Sequence, residues 1–304
     1  MEFQPIFLSG LGRSGTTLLR QMINSHSQIA VPYESHFITK YTPIIESLGK
    51  EASKADILNV LEQICSEEIL KYWDYYPNAN AVFDSLQSFT PADVFNTFYM
   101  LYAKHHGKVR WGDKSAYLSN LYDIKKIFPN AVFIHIVRDG RDVANSFKNM
   151  DFGPKTIADT ADFWDRYVKL GMSMGRMLPS EQYMELRYED LVTQTEVELK
   201  RICEFIGVEF EPTMLEYYKD AKKYIPQNLL KTHYNADKPP NPDRVYSWKK
   251  KMPQVELDIF NQIAKDMLNE FNYEIPPIKS SSMAIKLKKL KDLLFKKAGK
   301  PKSN

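Results

Sequence analysis

The chain has 304 residues, of which 43% are hydrophobic and 13% aromatic, which excludes an intrinsically disordered protein and suffices for a sizeable core. The formal net charge is only +3 and is unevenly distributed, because residues 279–304 contain nine lysines and a single acid. The rest of the chain is therefore slightly acidic. This excludes strong non-specific binding of nucleic acid, so any bound anion is held by a local site.

The predicted elements begin with a buried strand at residues 5–9. A glycine-rich turn at residues 10–15 follows, and then an apolar helical pattern that continues to Ile23. This order is typical of the opening unit of a parallel α/β sheet. Residues 131–137 are almost all apolar or β-branched, as in a central strand covered on both faces.

The other predicted elements are mainly helices. They are helices over 34–72, 91–106, 143–150, 158–177, 193–206 and 253–271, a strand over 183–187 and a loop over 233–247. The sequence has no internal repeat and no domain boundary before Pro276. We therefore predict one α/β domain over residues 1–278, a parallel sheet flanked by helices in three layers, with a basic tail over 279–304.

The glycine-rich turn has most features of a phosphate-binding loop. Its sequence, Gly10-Leu11-Gly12-Arg13-Ser14-Gly15-Thr16-Thr17, matches the pattern G-x-x-x-x-G-K-[ST] at both glycines and the last hydroxyl, but Thr16 replaces the lysine. Backbone N–H groups at a helix N-terminus bind an anion whatever the reaction, and Arg13 adds a positive charge. The turn predicts an anion site without kinase chemistry. The alternative is a turn that only packs the helix against the strand.

A second anion site is predicted where strand 131–137 ends. Arg138 follows this strand directly, and ligands of open α/β sheets collect at the carboxyl ends of strands. A guanidinium there can bind a phosphate through two hydrogen bonds, and Ser146, two turns into the next helix, can reach the same group. The alternative is an ordinary surface ion pair between Arg138 and Asp139.

These segments resemble the donor-binding segments of sulfotransferases that use 3′-phosphoadenosine 5′-phosphosulfate (PAPS). The branch that includes tyrosylprotein sulfotransferases and bacterial relatives is the most similar. Residues 13–19 with His26 and Glu34 carry the first resemblance, although Gly12 stands where that branch often has proline, and residues 128–146 carry the second. The resemblance implies a P-loop-like sulfotransferase fold. The PAPS-binding residues that it implies are Arg13, Ser14, Gly15, Thr16, Thr17, Arg138, Ser146, Tyr188, Ser247 and Lys249.

The resemblance also implies separate roles within this set. The glycine-rich turn would bind the 5′-phosphosulfate, and Arg138 with Ser146 the 3′-phosphate. Tyr188 would lie near the adenosine, residues 247–249 would close over the 3′-phosphate, and Asp139 and Arg141 would shape the turn. Tyr188 and Trp248 have the alternative of being core aromatic residues.

Two catalytic residues follow from the same resemblance and from what sulfuryl transfer requires: a base near the acceptor proton and a positive charge near the leaving oxygen. Glu34 is the predicted general base and Lys114 the residue that stabilises the leaving group. His36 is the competing base, because the ordinary pKa of histidine is nearer neutrality. The alternatives are that Glu34 caps a helix and that Lys114 is a surface lysine paired with Asp113.

The sequence thus predicts an enzyme that moves a sulfuryl group from PAPS to an acceptor hydroxyl, releases 3′-phosphoadenosine 5′-phosphate and uses no metal. The acceptor stays open among a sugar, a lipid, a small molecule and a peptide. One alternative, a nucleotide-dependent kinase, requires a lysine at position 16 and an aspartate directly after strand 131–137, where Thr16 and Arg138 stand. The other is an inactive nucleotide-binding module.

The remaining signals concern location. Cys65 and Cys203 are isolated and predicted to be half-buried thiols, and neither a transmembrane run nor a signal peptide is recognised, so a cytoplasmic location is expected. In the tail, Met283, Leu287, Leu290 and Leu294 recur at helical spacing among lysines. This pattern predicts either peripheral membrane contact through residues 283–297 or a frayed, solvated C-terminus.

Overall fold

The computed structural model describes residues 4–49, 51–115, 118–148, 150–224 and 237–298. Its five strands are β1 (Ile6–Ser9), β2 (Ile29–Ala30), β3 (Arg110–Lys114), β4 (Val132–Val137) and β5 (Tyr183–Arg187). They form one sheet in the order β2-β3-β1-β4-β5, in which every neighbouring pair is parallel. The predicted α/β fold with a parallel sheet is confirmed.

Helices cover both faces of this sheet. They are α1 (Thr16–Asn24), α2 (Ile38–Leu48), α3 (Lys54–Cys65), α4 (Ala79–Ser85), α5 (Pro91–His105), α6 (Leu121–Ile127), α7 (Gly140–Phe147), α8 (Ile157–Gly175), α9 (Tyr188–Thr193), α10 (Thr195–Ile206), α11 (Trp248–Lys251), α12 (Gln254–Ile263), α13 (Lys265–Glu270) and α14 (Ser282–Ala298). Short 3₁₀ turns occur at Glu68–Tyr72, Leu118–Asn120, Pro212–Lys219, Ala221–Lys223 and Pro242–Arg244.

The central strands β1 and β4 are buried on both faces, and their side chains alternate between two cores as the pleat requires. Ile6 and Leu8 of β1 pack with residues of α1, α9 and α10. Phe7 faces the other way, where it stacks on Phe133 at a ring-centre distance of 5.4 Å and joins residues of α2, α3, α5 and α6. A third core lies among α7, α8 and α12. The sheet is therefore the middle of three layers.

The strand order places three chain segments at one edge of the sheet. β1 lies between β3 and β4, and the register pairs Leu8 with Lys114 on one side and Ser9 with His135 on the other. Because the strands are parallel, the glycine-rich turn after β1, Lys114 at the end of β3 and Arg138 after β4 all lie at the carboxyl edge. Ligands of open parallel sheets bind at this edge.

Several predicted boundaries are wrong. The continuous helix over 34–72 is interrupted, because Gly49 ends α2 with a left-handed φ of 69° and Ser53 starts α3 through a capping box with Asp56. Residues 253–271 form two helices, α12 and α13, and α9 precedes the helix predicted from 193. Of the predicted loop over 233–247, residues 233–236 lie outside the described residues.

β2 and β3 lie outside the predicted elements. β2 has only two residues, and β3 has the sequence Arg-Trp-Gly-Asp-Lys, which lacks the β-branched residues typical of strands. β3 forms because it pairs with β1 on one side and β2 on the other, and because Trp111 stacks on Tyr99 of α5 at 4.4 Å. Tertiary contacts override the local preference here.

The predicted basic tail contains α14, whereas residues 299–304 lie outside the described residues. Over the part of the chain that the structure describes, no helix is both long and apolar enough to cross a membrane.

Candidate active site

The glycine-rich turn after β1 forms a cradle of backbone N–H groups. Gly15 has a left-handed φ of 95° and directly precedes α1, which no side chain caps. Arg13 is also left-handed, with a φ of 74°. The first N–H groups of a helix have no intrahelical acceptor, and a turn of alternating hand directs its N–H groups into one concavity. The turn has the geometry that binds a phosphate or sulfate group.

Two glycines of the turn are required by space. A Cβ atom on Gly10 would lie 2.5 Å from the carbonyl oxygen of Ile136 in β4, and one on Gly15 would lie 2.4 Å from the ring of Tyr188. Tyr188, the first residue of α9, is almost fully buried. Its ring therefore packs directly against the glycine-rich turn, and its burial is that of a core aromatic residue.

Arg138 lies over the same tyrosine. Its guanidinium is 4.5 Å from the centre of the Tyr188 ring and donates hydrogen bonds to the carbonyl oxygens of Arg13 (3.1 Å) and Arg244 (3.0 Å). The carboxylate of Asp142 is 3.9 Å away. The Nε–H group of Arg138 is buried without a hydrogen-bond partner. A buried donor without an acceptor is costly, so its position marks where an anionic oxygen is favourable.

Ser146 completes this part of the crevice. It lies on α7, and its hydroxyl accepts a hydrogen bond of 2.9 Å from Nε of Arg13. The structure thus brings the glycine-rich turn, Arg138, Ser146 and Tyr188 together, although they come from three separate segments of the chain.

Residues 247–249, at the start of α11, are attached to the crevice through Asp142. This buried carboxylate accepts hydrogen bonds from the Ser247 hydroxyl (2.7 Å) and the Trp248 N–H group (2.8 Å). Trp248 is 2% exposed and belongs to the core, as in the alternative interpretation. Lys249 is exposed, and its ammonium group lies 2.5 Å from Glu274. Ser247 therefore shares the Asp142 carboxylate with Arg138, whereas Lys249 lies on the surface.

Buried charges brace the turn that carries Arg138. Asp139 caps α7, and its carboxylate forms an ion pair of 2.8 Å with Arg141, both side chains being fully buried. The Asp139 N–H group donates to Glu189 at 3.0 Å, and the Tyr273 hydroxyl donates to the same carboxyl group at 2.9 Å. Burial raises the pKa of Glu189 to about 7. Asp139 and Arg141 thus lie within the turn rather than in the crevice.

The predicted catalytic residues lie together on the other side of β1. Lys114 forms an ion pair with Oε1 of Glu34, and Nε2 of His36 donates a hydrogen bond of 3.0 Å to Oε2. Asp113 is not the partner of Lys114, because its fully buried carboxylate accepts a hydrogen bond of 2.9 Å from Ser35. Glu34 precedes α2 by four residues and is not its cap.

The charges of this cluster determine its protonation. Burial by itself would raise the pKa of Glu34, but the attraction of Lys114 and the hydrogen bonds from His36 and Lys114 outweigh it and lower the pKa to about 2. Burial lowers the pKa of Lys114, against the effect of Glu34. The hydrogen bond to Glu34 raises the pKa of His36. Glu34 is therefore ionised at neutral pH, and it is a weak base while Lys114 remains its partner.

Arg20 is a positioning residue that the sequence analysis misses. It lies on α1 with its guanidinium buried, and it donates hydrogen bonds to the carbonyl oxygens of Val31 (3.0 Å) and Tyr224 (2.7 Å). The Trp73 indole N–H group also donates to the carbonyl oxygen of Glu34, at 3.3 Å. The hydrogen bonds from Arg20 to Val31 and from Trp73 to Glu34 hold the segment that carries Glu34. The available signal was an arginine within the apolar pattern of α1.

The crevice combines an anion cradle and guanidinium groups with a paired ammonium and carboxylate, a set suited to transferring an anionic group. Among the residues that the structure describes, no group of three or more histidine, cysteine, aspartate or glutamate side chains is arranged to hold a metal ion.

Comparison with known proteins agrees with this geometry. Protein-tyrosine sulfotransferase A of Caenorhabditis elegans is 24% identical over 279 residues, which cover 88% of this chain and 67% of the relative. Protein-tyrosine sulfotransferase 2 of Gallus gallus is 24% identical over 287 residues, covering 90% of this chain and 70% of the relative.

The fold is shared with solved structures. The sulfotransferase domain of the Synechococcus PCC 7002 olefin synthase superposes with a TM-score of 0.60 at 23% identity, covering 90% of this chain and 98% of that domain. The sulfotransferase domain from the curacin biosynthetic pathway also gives 0.60, at 20% identity, covering 90% and 99%. The model of the sulfotransferase family matches residues 5–212, more than half of the chain. The chain is therefore an enzyme of the sulfotransferase family.

Proposed function

We propose that this enzyme transfers a sulfuryl group from PAPS to an acceptor hydroxyl by in-line displacement. The glycine-rich turn, Arg13–Thr17, binds the 5′-phosphosulfate, and Arg138 with Ser146 binds the 3′-phosphate. Tyr188 lies near the adenosine, and Ser247 supports the same side through Asp142. Lys249 has a secondary role at most, because its ammonium group lies against Glu274.

One observation carries the proposal: the convergence of Arg138 on the glycine-rich turn. Arg138 donates a hydrogen bond of 3.1 Å to the carbonyl oxygen of Arg13, so its guanidinium lies next to the glycine-rich turn. A ligand with negative groups at both ends can therefore reach the backbone cradle and the guanidinium at the same time. The buried, unpartnered Nε–H group of Arg138 fits an anionic oxygen of this kind.

In the proposed reaction the acceptor oxygen forms a bond to sulfur while the bond between sulfur and the 5′-phosphate oxygen breaks. Glu34 takes the proton of the acceptor hydroxyl, and Lys114 stabilises the negative charge on the departing phosphate oxygen. Because Lys114 is paired with Glu34, it has to exchange the carboxylate for the phosphosulfate. This exchange also frees Glu34, whose pKa then rises from about 2 toward a value more useful for a base.

Calorimetry tests the donor. We expect 3′-phosphoadenosine 5′-phosphate to bind at least about tenfold more tightly than adenosine 5′-phosphate, because the second compound lacks the phosphate for Arg138. ATP is the control for the kinase alternative. Tighter binding of ATP than of 3′-phosphoadenosine 5′-phosphate would overturn the proposed donor.

The acceptor is proposed only as a hydroxyl of a sugar, lipid, small molecule or peptide. Two named relatives are protein-tyrosine sulfotransferases, which favours a phenolic acceptor. An aromatic pair next to Glu34 agrees with this choice, because the rings of Tyr33 and Tyr72 have centres 5.7 Å apart. A phenol, with a pKa near 10, also needs a weaker base than an aliphatic alcohol does. A screen of acceptors therefore begins with tyrosine peptides and simple phenols, and aliphatic alcohols serve as the contrast.

We also propose peripheral membrane contact through residues 283–297 as part of the enzyme's setting. The support is the lysine-rich composition of this segment and the exposed apolar side chains of α14.

A further inference from the structure

Helix α14 is attached to the domain through one face. Ile285 is 7% exposed and packs into the core that α8 and α12 share. The ammonium group of Lys288 lies 3.3 Å from Glu256 of α12 and 2.8 Å from Asp292. Just before the helix, the N–H group of Ser280 donates to Asp258 of α12 at 2.7 Å. These contacts fix the first half of α14 on the domain.

The opposite face of α14 is apolar and exposed. Met283, Leu287 and Leu290 are exposed by 67%, 50% and 53%. At 3.6 residues per turn these three side chains fall within roughly 60° of one another, and Ile285 lies on the other side of the helix. The attachment to α12 therefore turns the apolar stripe outward. A contiguous exposed stripe of this kind marks an interaction surface.

The charges around the stripe identify its partner. Lys286 and Lys291 are exposed and flank the stripe on its two sides. The single acid of residues 279–304, Asp292, is engaged by Lys288 on the docked side. An apolar stripe between lysines, without acids, is complementary to a surface that is apolar in depth and negative at its rim. An anionic membrane has this structure.

We infer that the outward face of α14, formed by Met283, Leu287 and Leu290 with Lys286 and Lys291, docks onto an anionic membrane surface. The helix lies in the plane of the membrane, and the contacts to α12 hold the catalytic domain against it. The inference deepens the membrane contact proposed above and rests on it, but it does not depend on the identity of the donor or acceptor.

Co-sedimentation of the full chain with vesicles tests the inference. We expect binding to phosphatidylcholine vesicles that contain roughly one-third phosphatidylserine and about tenfold weaker binding to phosphatidylcholine alone. The variant Met283→Gln/Leu287→Gln/Leu290→Gln should weaken binding by about tenfold or more. The variant Lys286→Gln/Lys291→Gln should weaken it by about 5- to 25-fold and only on the anionic vesicles.

The matched control replaces three exposed apolar side chains outside α14, Leu170→Gln/Met177→Gln/Val197→Gln, and should bind as the wild type does. Equal binding of the wild type to both vesicles, or undiminished binding of the stripe variant, overturns the inference. So does a dimer that the stripe variant abolishes while vesicle binding is absent, because a second copy then covers the stripe. If the stripe variant unfolds at a lower temperature than the wild type, its loss of vesicle binding is not interpretable. The vesicle binding of the lysine variant then decides whether the inference holds.

Turnover of a soluble acceptor is measured alongside. It should be unchanged in the stripe variant, so that loss of membrane binding is separated from loss of activity. A wild type that binds vesicles but transfers no sulfuryl group would contradict the proposed function and leave the membrane inference standing.

Discussion

The two sides of β1 hold their cations in different ways. On the β4 side, Arg138 donates hydrogen bonds to two main-chain carbonyl oxygens, at 3.1 and 3.0 Å, and the Asp142 carboxylate lies 3.9 Å away. On the β3 side, Lys114 forms a direct ion pair with Glu34, whose second oxygen is bonded to His36. The hydrogen bonds of Arg138 go to neutral main-chain groups, with a carboxylate at a longer distance, whereas Lys114 is paired directly with a carboxylate.

This difference separates binding from chemistry. The main-chain carbonyl oxygens orient the guanidinium of Arg138 without a direct hydrogen bond to a carboxylate, so the side proposed to bind the 3′-phosphate is preorganised. On the other side the charges of Lys114 and Glu34 cancel. In the proposed mechanism these two residues act only after an anion has drawn the ammonium group away. The following predictions test this contrast between a fixed side and an exchanging side.

The largest effect is expected for Glu34→Gln. The amide keeps the size of the side chain but cannot take the proton from the hydroxyl of the acceptor substrate. Turnover should therefore fall by about 10² or more. Initial rates with PAPS and a phenolic acceptor measure this loss. His36→Asn should lose less, because in the proposed mechanism His36 only donates a hydrogen bond to the carboxylate that takes the proton. The opposite ranking of the two variants would make His36 the base.

The next effect is expected for Arg138→Ala on the fixed side. Loss of charged hydrogen bonds should weaken binding of 3′-phosphoadenosine 5′-phosphate by about 2–3 kcal/mol, roughly 30- to 150-fold. Calorimetry with adenosine 5′-phosphate should show a much smaller loss. Arg166→Ala, which removes an exposed arginine from α8, is the control for net charge. Equal losses of affinity for both nucleotides would mean that Arg138 does not bind the 3′-phosphate.

How much of this could be read from the sequence depends on where the stabilising contacts lie. The cradle at residues 10–17 and the strand before Arg138 were predictable, because a glycine pattern and an apolar run are local signals. β3 was not, because it lacks β-branched residues and contains Gly, Asp and Lys, so it forms a strand only by pairing in the folded sheet. The Lys114–Glu34 ion pair joins residues 80 positions apart. The resemblance named both residues but not their contact.

The fixed side also makes a prediction about pH. The pKa of Glu189 is about 7 in the folded protein against an ordinary 4.5, so folding favours its protonated form. Its contribution to stability is complete below pH 4.5 and is lost as the pH rises through 7. Glu189→Gln, which does not titrate, should therefore gain on the order of 2–3 kcal/mol over the wild type between pH 4.5 and 8.

Denaturant unfolding of both proteins at several pH values measures this gain, and comparing the two cancels the titration of all other groups. Glu185→Gln, in the preceding strand β5, is the control for the loss of one acidic side chain from this region. Because the amide oxygen of Glu189→Gln can still accept the hydrogen bond from the Asp139 N–H group, nucleotide binding should not change in this variant. A stability difference that is constant with pH would mean that the pKa of Glu189 is the same in the folded and the unfolded protein.

The smallest effect concerns the exchanging side and is the sharpest test of the contrast. If Glu34 competes with the donor for Lys114, then Glu34→Gln should tighten PAPS binding by about two- to fivefold, the range of a partly exposed ion pair, even though it nearly abolishes turnover. The gain should also be seen with the desulfated product, because the phosphate oxygen that Lys114 is proposed to stabilise remains on it. It should vanish in a Lys114→Met background, where no ammonium group is left to release. Weaker PAPS binding by Glu34→Gln would instead mean that Glu34 holds Lys114 in its productive position, so that the pair is preorganised like Arg138 and the two sides of β1 do not differ.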